Sequence, residues 1–439
     1  MISNTFYRRL EVVFTLTVLL LSLNMFYTVF QSADADAAAQ GDLPFQILWG
    51  TVYALAAVFV LLKGRTFLSL MWRSKLILLL PLLALISATW AQEPTMVIRR
   101  GLALLLTYMF GAYMAMKFTL RQQIKMVATV ILVAATLSYA VEILLPEEIP
   151  TIETYSGSWS GVFGHKNMLA RWMVLGMVAL ACLMAGRVRR LGAKALGLAA
   201  CTGMLILSRS ATGLLAAIAL ACCFPIVLQL RKKLTVVVPV LVVVASLLGT
   251  ALFYMSLHSD DILELLGKDS TLTGRTKIWM VSALAIAKSP VLGYGYSSFW
   301  RVNSESNMLS AMVHWNIPHA HCGFIDLVLE LGFVGLAILV LVLLITVTQA
   351  IRKYRQFQAP EYVWPVMLIL FLVFYNLTES SILSENTLIW IAYCSAAFSL
   401  YLNRAPDGSC AGVVDATPVE FDGFYDPPYV NGHLGPAGV

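Results

Sequence analysis

The chain has 439 residues, of which 59% are hydrophobic and only 12% charged, with a formal net charge of +6 at pH 7. A soluble domain would carry about a quarter charged residues, so a soluble globular protein is excluded. The modest positive balance reflects loop orientation and does not point to a nucleic-acid partner.

After "MISNTFYRRL" the apolar run is too long for a cleavable leader and lacks a clean small-residue cleavage site, so it reads as the first span. Apolar runs of roughly 18 residues or more then recur, the length that crosses a bilayer core. The pattern predicts an all-α polytopic membrane protein of about twelve helices. They run over about 10–30, 44–62, 74–91, 101–120, 124–145, 167–186, 191–207, 211–230, 234–256, 320–348, 362–380 and 386–402. An even number of crossings puts both termini on one side. Arg8 and Arg9, "KGRTFLSLMWRSK", Lys117, Arg121 and Lys125, "RVRRLGAK", "RKK", "RKYR" and Arg404 share that side and hold 20 of the 30 Lys and Arg. The positive-inside bias makes it the cytoplasm. The large outer loop, about 257–319, is expected in the periplasm with short amphipathic helices. Residues 1–402 form one transmembrane domain. The Gly-, Pro- and Asp-rich tail 403–439 is expected to be a disordered cytoplasmic extension.

Five cations break the inward bias in short outer loops or just inside helix ends: Arg99, Arg100, Lys166, Arg171 and Arg209. Each alone could pair with a carboxylate or snorkel to headgroups. Together on one face they suggest an anion site, and a diphosphate suits guanidinium forks. The motifs around them follow in order. In "SATWAQEPTMVIRRG", Arg99 and Arg100 are expected to open the next helix, where they oppose its dipole. "GVFGHKNMLARW" offers His165, Lys166 and Asn167 as donors at a helix start, a plausible anion nest. "LSRSATG" sends Arg209 out of a span between capping hydroxyls.

The long loop contains "TGRTKIWMVSALAIAKSPVLGYGYSSFW". Ile278, Trp279, Val281, Leu284 and Ile286 predict a short amphipathic helix on the membrane surface. The aromatic turn after it offers stacking faces for a sugar, or interfacial anchors. "IPHAHCGFIDLVLELG" sets His319 and His321 at the mouth of a span, with Asp326 and Glu330 four apart on one side of the helix. His258 and His314 are assigned to loop surface, and His433, in the tail, receives no role. Most of the seven cysteines fall inside predicted spans without a CxxC pair and read as small core hydrophobes.

"GHKN", "SRSATG", "GRTKIW", "LGYGYSSFW" and "HAHCGFIDLVLELGFVG", in this order, resemble the O-antigen ligase and Wzy-type polymerase family over about 155–345. "NLTES" at 376–380 resembles its ExoQ-like exopolysaccharide branch. The family signature falls on His321, Cys322, Gly332 and Gly335. Cys322 departs from the usual Asn, Ser or Gln, which puts a supporting hydrogen bond in question.

The resemblance implies an inverting glycosyltransferase of the bacterial inner membrane with its site facing the periplasm. The donor would be an oligosaccharide on undecaprenyl diphosphate, and no cofactor or metal would be needed. It implies His321 as general base, with Arg209 and Arg275 holding the departing diphosphate. His319, Arg99, Arg100, His165, Lys166, Asn167 and Glu379 would contact substrate. A chain-length regulator or export machinery is a candidate partner. Polymerisation is the first expectation. Ligation of polymer to lipid A-core or a protein hydroxyl is the alternative, and an anionic-solute transporter or an inactive assembly subunit are more distant readings. Transport is disfavoured by the lack of internal repeats and of midplane ionisable groups.

Overall fold

The computed structural model describes residues 2–25, 43–61, 63–144, 157–186, 191–232, 275–302, 306–307, 317 and 319–402. Among them every regular element is helical. In chain order these are α1 (Ile2–Leu21), α2 (Leu43–Leu61), α3 (Gly64–Arg73), α4 (Leu79–Ile86), α5 (Pro94–Lys117), α6 (Leu120–Leu144), α7 (Lys166–Met184) and α8 (Leu191–Leu207). They continue with α9 (Ala211–Gln229), α10 (Arg275–Lys288), α11 (Phe299–Val302), α12 (Gly323–Phe357), α13 (Val363–Asn376) and α14 (Leu388–Ser399).

Among the described residues six helices are long and apolar enough to cross a membrane, Pro44–Leu61, α5, α6, α7, α9 and α12, or seven if the bent pair Gly64–Arg73 and Lys75–Thr89 is one span. α8, Pro360–Asn376 and α14 are shorter apolar helices. The chain is thus a multi-pass membrane protein. The expected span at 234–256, the outer loop before Arg275 and the tail 403–439 lie outside the described residues. The expected span at 74–91 corresponds to Lys75–Thr89, and the stretch between it and the preceding expected span is itself a helix, Gly64–Arg73, which meets it at 83°. At this corner the Ser74 N–H and hydroxyl both donate back to Leu70 O (2.9 and 2.6 Å). α5 starts at Pro94, whose fixed φ suits the first helical position. Arg99 and Arg100 consequently stand a turn and a half inside that helix, not at its opening as the sequence suggested.

Small residues set the packing between spans, where apolar surface alone cannot select a partner. A Cβ on Gly111 of α5 would fall 2.5 Å from Cys394 Cβ of α14, so these helices meet backbone to backbone. Gly176 of α7 likewise receives Ile131 of α6 and Cys201 of α8. The core around them is aromatic, with Tyr108, Tyr113, Trp172, Trp364, Trp390 and Phe398 fully buried.

α12 breaks at Gly332, which adopts φ +65° and ψ −171°. Freed backbone groups must find partners at membrane depth, and the loop after α10 supplies them. Phe333 and Val334 donate to Pro290 O (2.8 Å) and Val291 O (3.2 Å). Tyr294 and Gly295 donate to Leu329 O (2.8 Å) and Glu330 O (2.9 Å). A Cβ at Gly332 would sit 2.0 Å from Val291 O, so only glycine permits this wedge. α10 is a helix as expected, but it is apolar on both sides and one side packs on protein: Ile278, Val281 and Ala285 cluster with Phe299, Ile317, Ala320 and Leu329. Met280 and Leu284 stay exposed on its far side.

Candidate functional site

The polar loops meet at one end of the bundle. α7 begins there with His165 as its N-cap, whose Nδ1 accepts the Asn167 N–H (3.2 Å). Asn167 then joins three segments. Its Nδ2 donates to Glu379 Oε1 (2.9 Å), its Oδ1 accepts from Ser210 Oγ (2.8 Å), and its backbone O accepts from Tyr375 OH (2.7 Å). Ser210 is itself the N-cap of α9, accepting from Gly213 N–H (3.2 Å). Burial first, then the neighbouring Lys166 and Arg171 charges, lower the His165 pKa, with Glu379 opposing. The neutral ring keeps its acceptor nitrogen for the cap.

Arg171 lies beneath this cap, 9% exposed, its guanidinium 4.9 Å from the centre of the Tyr375 ring. Its Nε has no hydrogen-bond partner, and no carboxylate lies within ion-pair distance among the described residues. A buried cation so placed is expensive unless an anion joins it. Arg209 sits in the α8–α9 turn at φ +49° and is exposed. Its Nη1 runs beside Gly157, where a Cβ would approach to 3.2 Å. It too lacks a carboxylate partner among the described residues. Glu142, which could have neutralised an arginine, accepts the Ser160 and Gly161 amides instead (2.7 Å each).

The second half of the site is the turn entering α12. His321 has φ +52°, and its N–H donates to His319 Nδ1 (3.2 Å). The two rings lie 4.1 Å apart, steeply inclined. Ala320 between them is fixed on both sides: its O accepts from Trp279 Nε1 (2.9 Å) and its N–H donates to Asp326 Oδ1 (2.9 Å). Asp326 Oδ1 also takes Trp300 Nε1 (2.6 Å), and its Oδ2 takes the Ser380 hydroxyl. Cys322 is the N-cap of α12 and makes no side-chain cap bond. The hydrogen bond that an Asn or Ser would supply is missing here.

The α13–α14 connection ties the two halves together. Glu379 holds Asn167 through its side chain and accepts Gly323 N–H on its backbone O (3.0 Å), while adjacent Ser380 holds Asp326. Farther along, Glu385 pairs with Arg100 Nη1 (2.6 Å) and accepts from Tyr296 OH (3.0 Å). Burial and the nearby Glu385 and Glu330 charges push the Tyr296 hydroxyl pKa well up, so it serves as a donor.

Residues 195–340 match the O-antigen ligase family (Wzy_C). The exopolysaccharide production protein ExoQ of Rhizobium meliloti (strain 1021) is 31% identical over 281 residues, which cover 59% of this chain and 61% of that relative. Over these stretches the chain is similar to the O-antigen ligase family and to ExoQ, and it spans about three fifths of the length of that relative.

The stretch matched to the O-antigen ligase family contains Arg209, Arg275, His319 and His321 and excludes the remaining expected site residues. The fold brings His165, Lys166, Asn167, Arg209 and Glu379 to the α7 and α9 starts, and His319 and His321 to the α12 turn. Arg100 is occupied by Glu385, with Arg99 half-buried beside it. Arg275 opens α10, and its side chain lies outside the described residues. The aromatic turn is tied inward: Tyr294 OH donates to Ala285 O, Tyr296 OH to Leu383 O and Trp300 Nε1 to Asp326. Sequence reasoning grouped Arg171 with the outer cations without giving it a site role, although an arginine six residues into an apolar span was signal enough. Tyr375, Trp300 and Ser380 carried no such signal.

Proposed function

We propose that the protein is a polysaccharide polymerase of the bacterial inner membrane. It transfers a growing glycan from undecaprenyl diphosphate to a lipid-linked repeat unit at the periplasmic face. His321 removes the acceptor hydroxyl proton, and the acceptor oxygen attacks the sugar's anomeric carbon from the face opposite the leaving group. The bond from that carbon to the diphosphate oxygen breaks, the configuration inverts and undecaprenyl diphosphate departs with the electron pair. Arg171, Arg209 and Arg275 hold that developing charge as a preorganised cationic wall. Lys166 and His319 contact the substrate, while Asn167 and Glu379 fix the wall's shape.

One observation carries this reading: Glu142, Asp326 and Glu379 are hydrogen-bonded to neutral groups, while Arg171 and Arg209 have no carboxylate within ion-pair distance among the described residues. An end of the molecule so arranged leaves two guanidinium groups without a carboxylate at ion-pair distance, and the Glu379–Ser380 connection ties their caps to the histidine turn, an arrangement suited to a diphosphate and a hydroxyl. That the similar ExoQ is an exopolysaccharide production protein favours polymerisation, and the likeness of residues 195–340 to O-antigen ligases keeps ligation as the second reading. Purified protein incubated with undecaprenyl-diphosphate-linked repeat units alone separates them. Chain growth without a second acceptor is the expected result, and product formed only after adding lipid A-core would establish a ligase.

A further inference from the structure

We propose that Asp326 is the positioning residue for the proton-accepting histidine. The inference rests on the reading of His321 as base and assigns to Asp326 the task of holding its turn. Asp326 lies in the first turns of α12, where an acid ordinarily serves its own helix by facing the dipole or capping first-turn amides. Here its three hydrogen-bond partners all come from elsewhere in the chain: the Ala320 amide before the helix, the Trp300 indole of α11 and the Ser380 hydroxyl of the α13–α14 connection. One carboxylate therefore joins the histidine turn to the outer-loop segment and to the stretch that also holds Asn167.

The turn needs such a restraint. His321 occupies the left-handed region, which a non-glycine residue holds only when its surroundings over-determine it. Its N–H donates to the neighbouring His319 Nδ1 (3.2 Å). The stronger constraint is on Ala320, fully buried and fixed by Trp279 on its carbonyl and Asp326 on its amide. A general base loses efficiency when displaced by a fraction of an ångström, so releasing the Ala320 amide moves the ring without removing it.

Asp326→Asn keeps an acceptor oxygen for Ala320 and Trp300, and the rotatable Ser380 hydroxyl can turn to accept from the new amide. Asp326→Ala removes every acceptor. The test uses the full chain in detergent or nanodiscs with undecaprenyl-diphosphate-linked repeat units as probe, and reads kcat, KM and hydrogen exchange of the 317–325 peptide. For Asp326→Ala the expected result is a fall in kcat of at least about 30-fold with KM within about threefold, and exchange at least about tenfold faster in that peptide alone. Asp326→Asn should recover both to within about fivefold of wild type. Unchanged kcat and exchange in Asp326→Ala, a change confined to KM, or an Asn variant as impaired as Ala would overturn the proposal. Should Asp326→Ala fail to fold, Trp300→Phe and Ser380→Ala each remove one donor and should speed 317–325 exchange; if neither does, the proposal is lost. His321→Ala is the reference arm: wild-type turnover there defeats the base assignment, while the exchange data still decide whether Asp326 holds the turn.

Discussion

The two ends of this bundle treat some of their cations differently. At the end bearing the chain's main basic clusters, four cations are tied into the fold. Lys117 pairs with Glu11 (2.5 Å), and Lys194, Lys353 and Arg355 donate to the carbonyls of Leu183, Leu402 and Leu230 at 2.8–3.1 Å. Carbonyls left open at helix C-termini are natural partners for such groups. At the other end Arg100 pairs with Glu385, while Arg171 is left stacked on Tyr375 and Arg209 stands in a turn. On the proposed reading, the guanidinium groups of Arg171 and Arg209, with no carboxylate at ion-pair distance among the described residues, mark where the anionic substrate belongs.

Substitutions can break or sharpen this contrast. The largest effect is expected for His321→Ala, with chain growth slowed about 1,000-fold, since a positioned base supplies roughly that factor. Arg171→Met should slow turnover about 100-fold, the scale of one lost charge-stabilising group. Arg171→Lys should remain impaired because an ammonium neither stacks nor forks as guanidinium does. At the opposite end, Lys353→Ala should leave turnover within about threefold of wild type, since it removes only a surface-type contact. Comparable losses from Arg171→Met and Lys353→Ala would erase the distinction between the ends. Asn167→Ala, which removes the bonds to Glu379 and Ser210, should cost about 1–3 kcal/mol of stability by denaturant titration and a smaller fraction of activity.

The smallest predicted effect concerns pH. Folding lowers the His165 pKa from 6.5, so the folded state binds fewer protons there than the unfolded chain. Its stabilising contribution is complete above that ordinary value and is lost as pH falls through the lowered one. The half-exposed cap limits the effect to below about 1 kcal/mol. His165→Asn keeps a capping oxygen that does not titrate, so its thermal midpoint should hold between pH 7.5 and 5 where that of wild type drifts down. Parallel drifts in the two proteins would remove His165 as the cause.

Much of the frame was legible in the sequence because a bilayer constrains length and polarity so tightly. α8 was expected to span 191–207 and is Leu191–Leu207; α9 was expected over 211–230 and ends at Gln229. The bend at Ser74 and the break at Gly332 were not legible: Arg73, Ser74 and Lys75 read as an ordinary polar connection between spans, and Gly332 sits inside an apolar run. The break depends on a tertiary partner, the 290–295 wedge. Within the site, residue types that are costly in apolar surroundings, such as Arg171 and Asp326, announced that something polar was there. What they touch was hidden, since Ser380, Trp300 and Tyr375 lie far along the chain and are unremarkable individually. Glu379 was expected at the substrate, and its side chain turns out to hold Asn167 in place.

Cryo-electron microscopy of the protein in nanodiscs with undecaprenyl diphosphate tests the central claim most directly. The account predicts phosphate density within hydrogen-bond reach of the Arg171 and Arg209 guanidinium groups, on the side that the His319–His321 turn faces. Phosphate density at the Lys117, Lys353 and Arg355 end, or Arg171 still stacked on Tyr375 with nothing opposite it at saturating lipid, would contradict it.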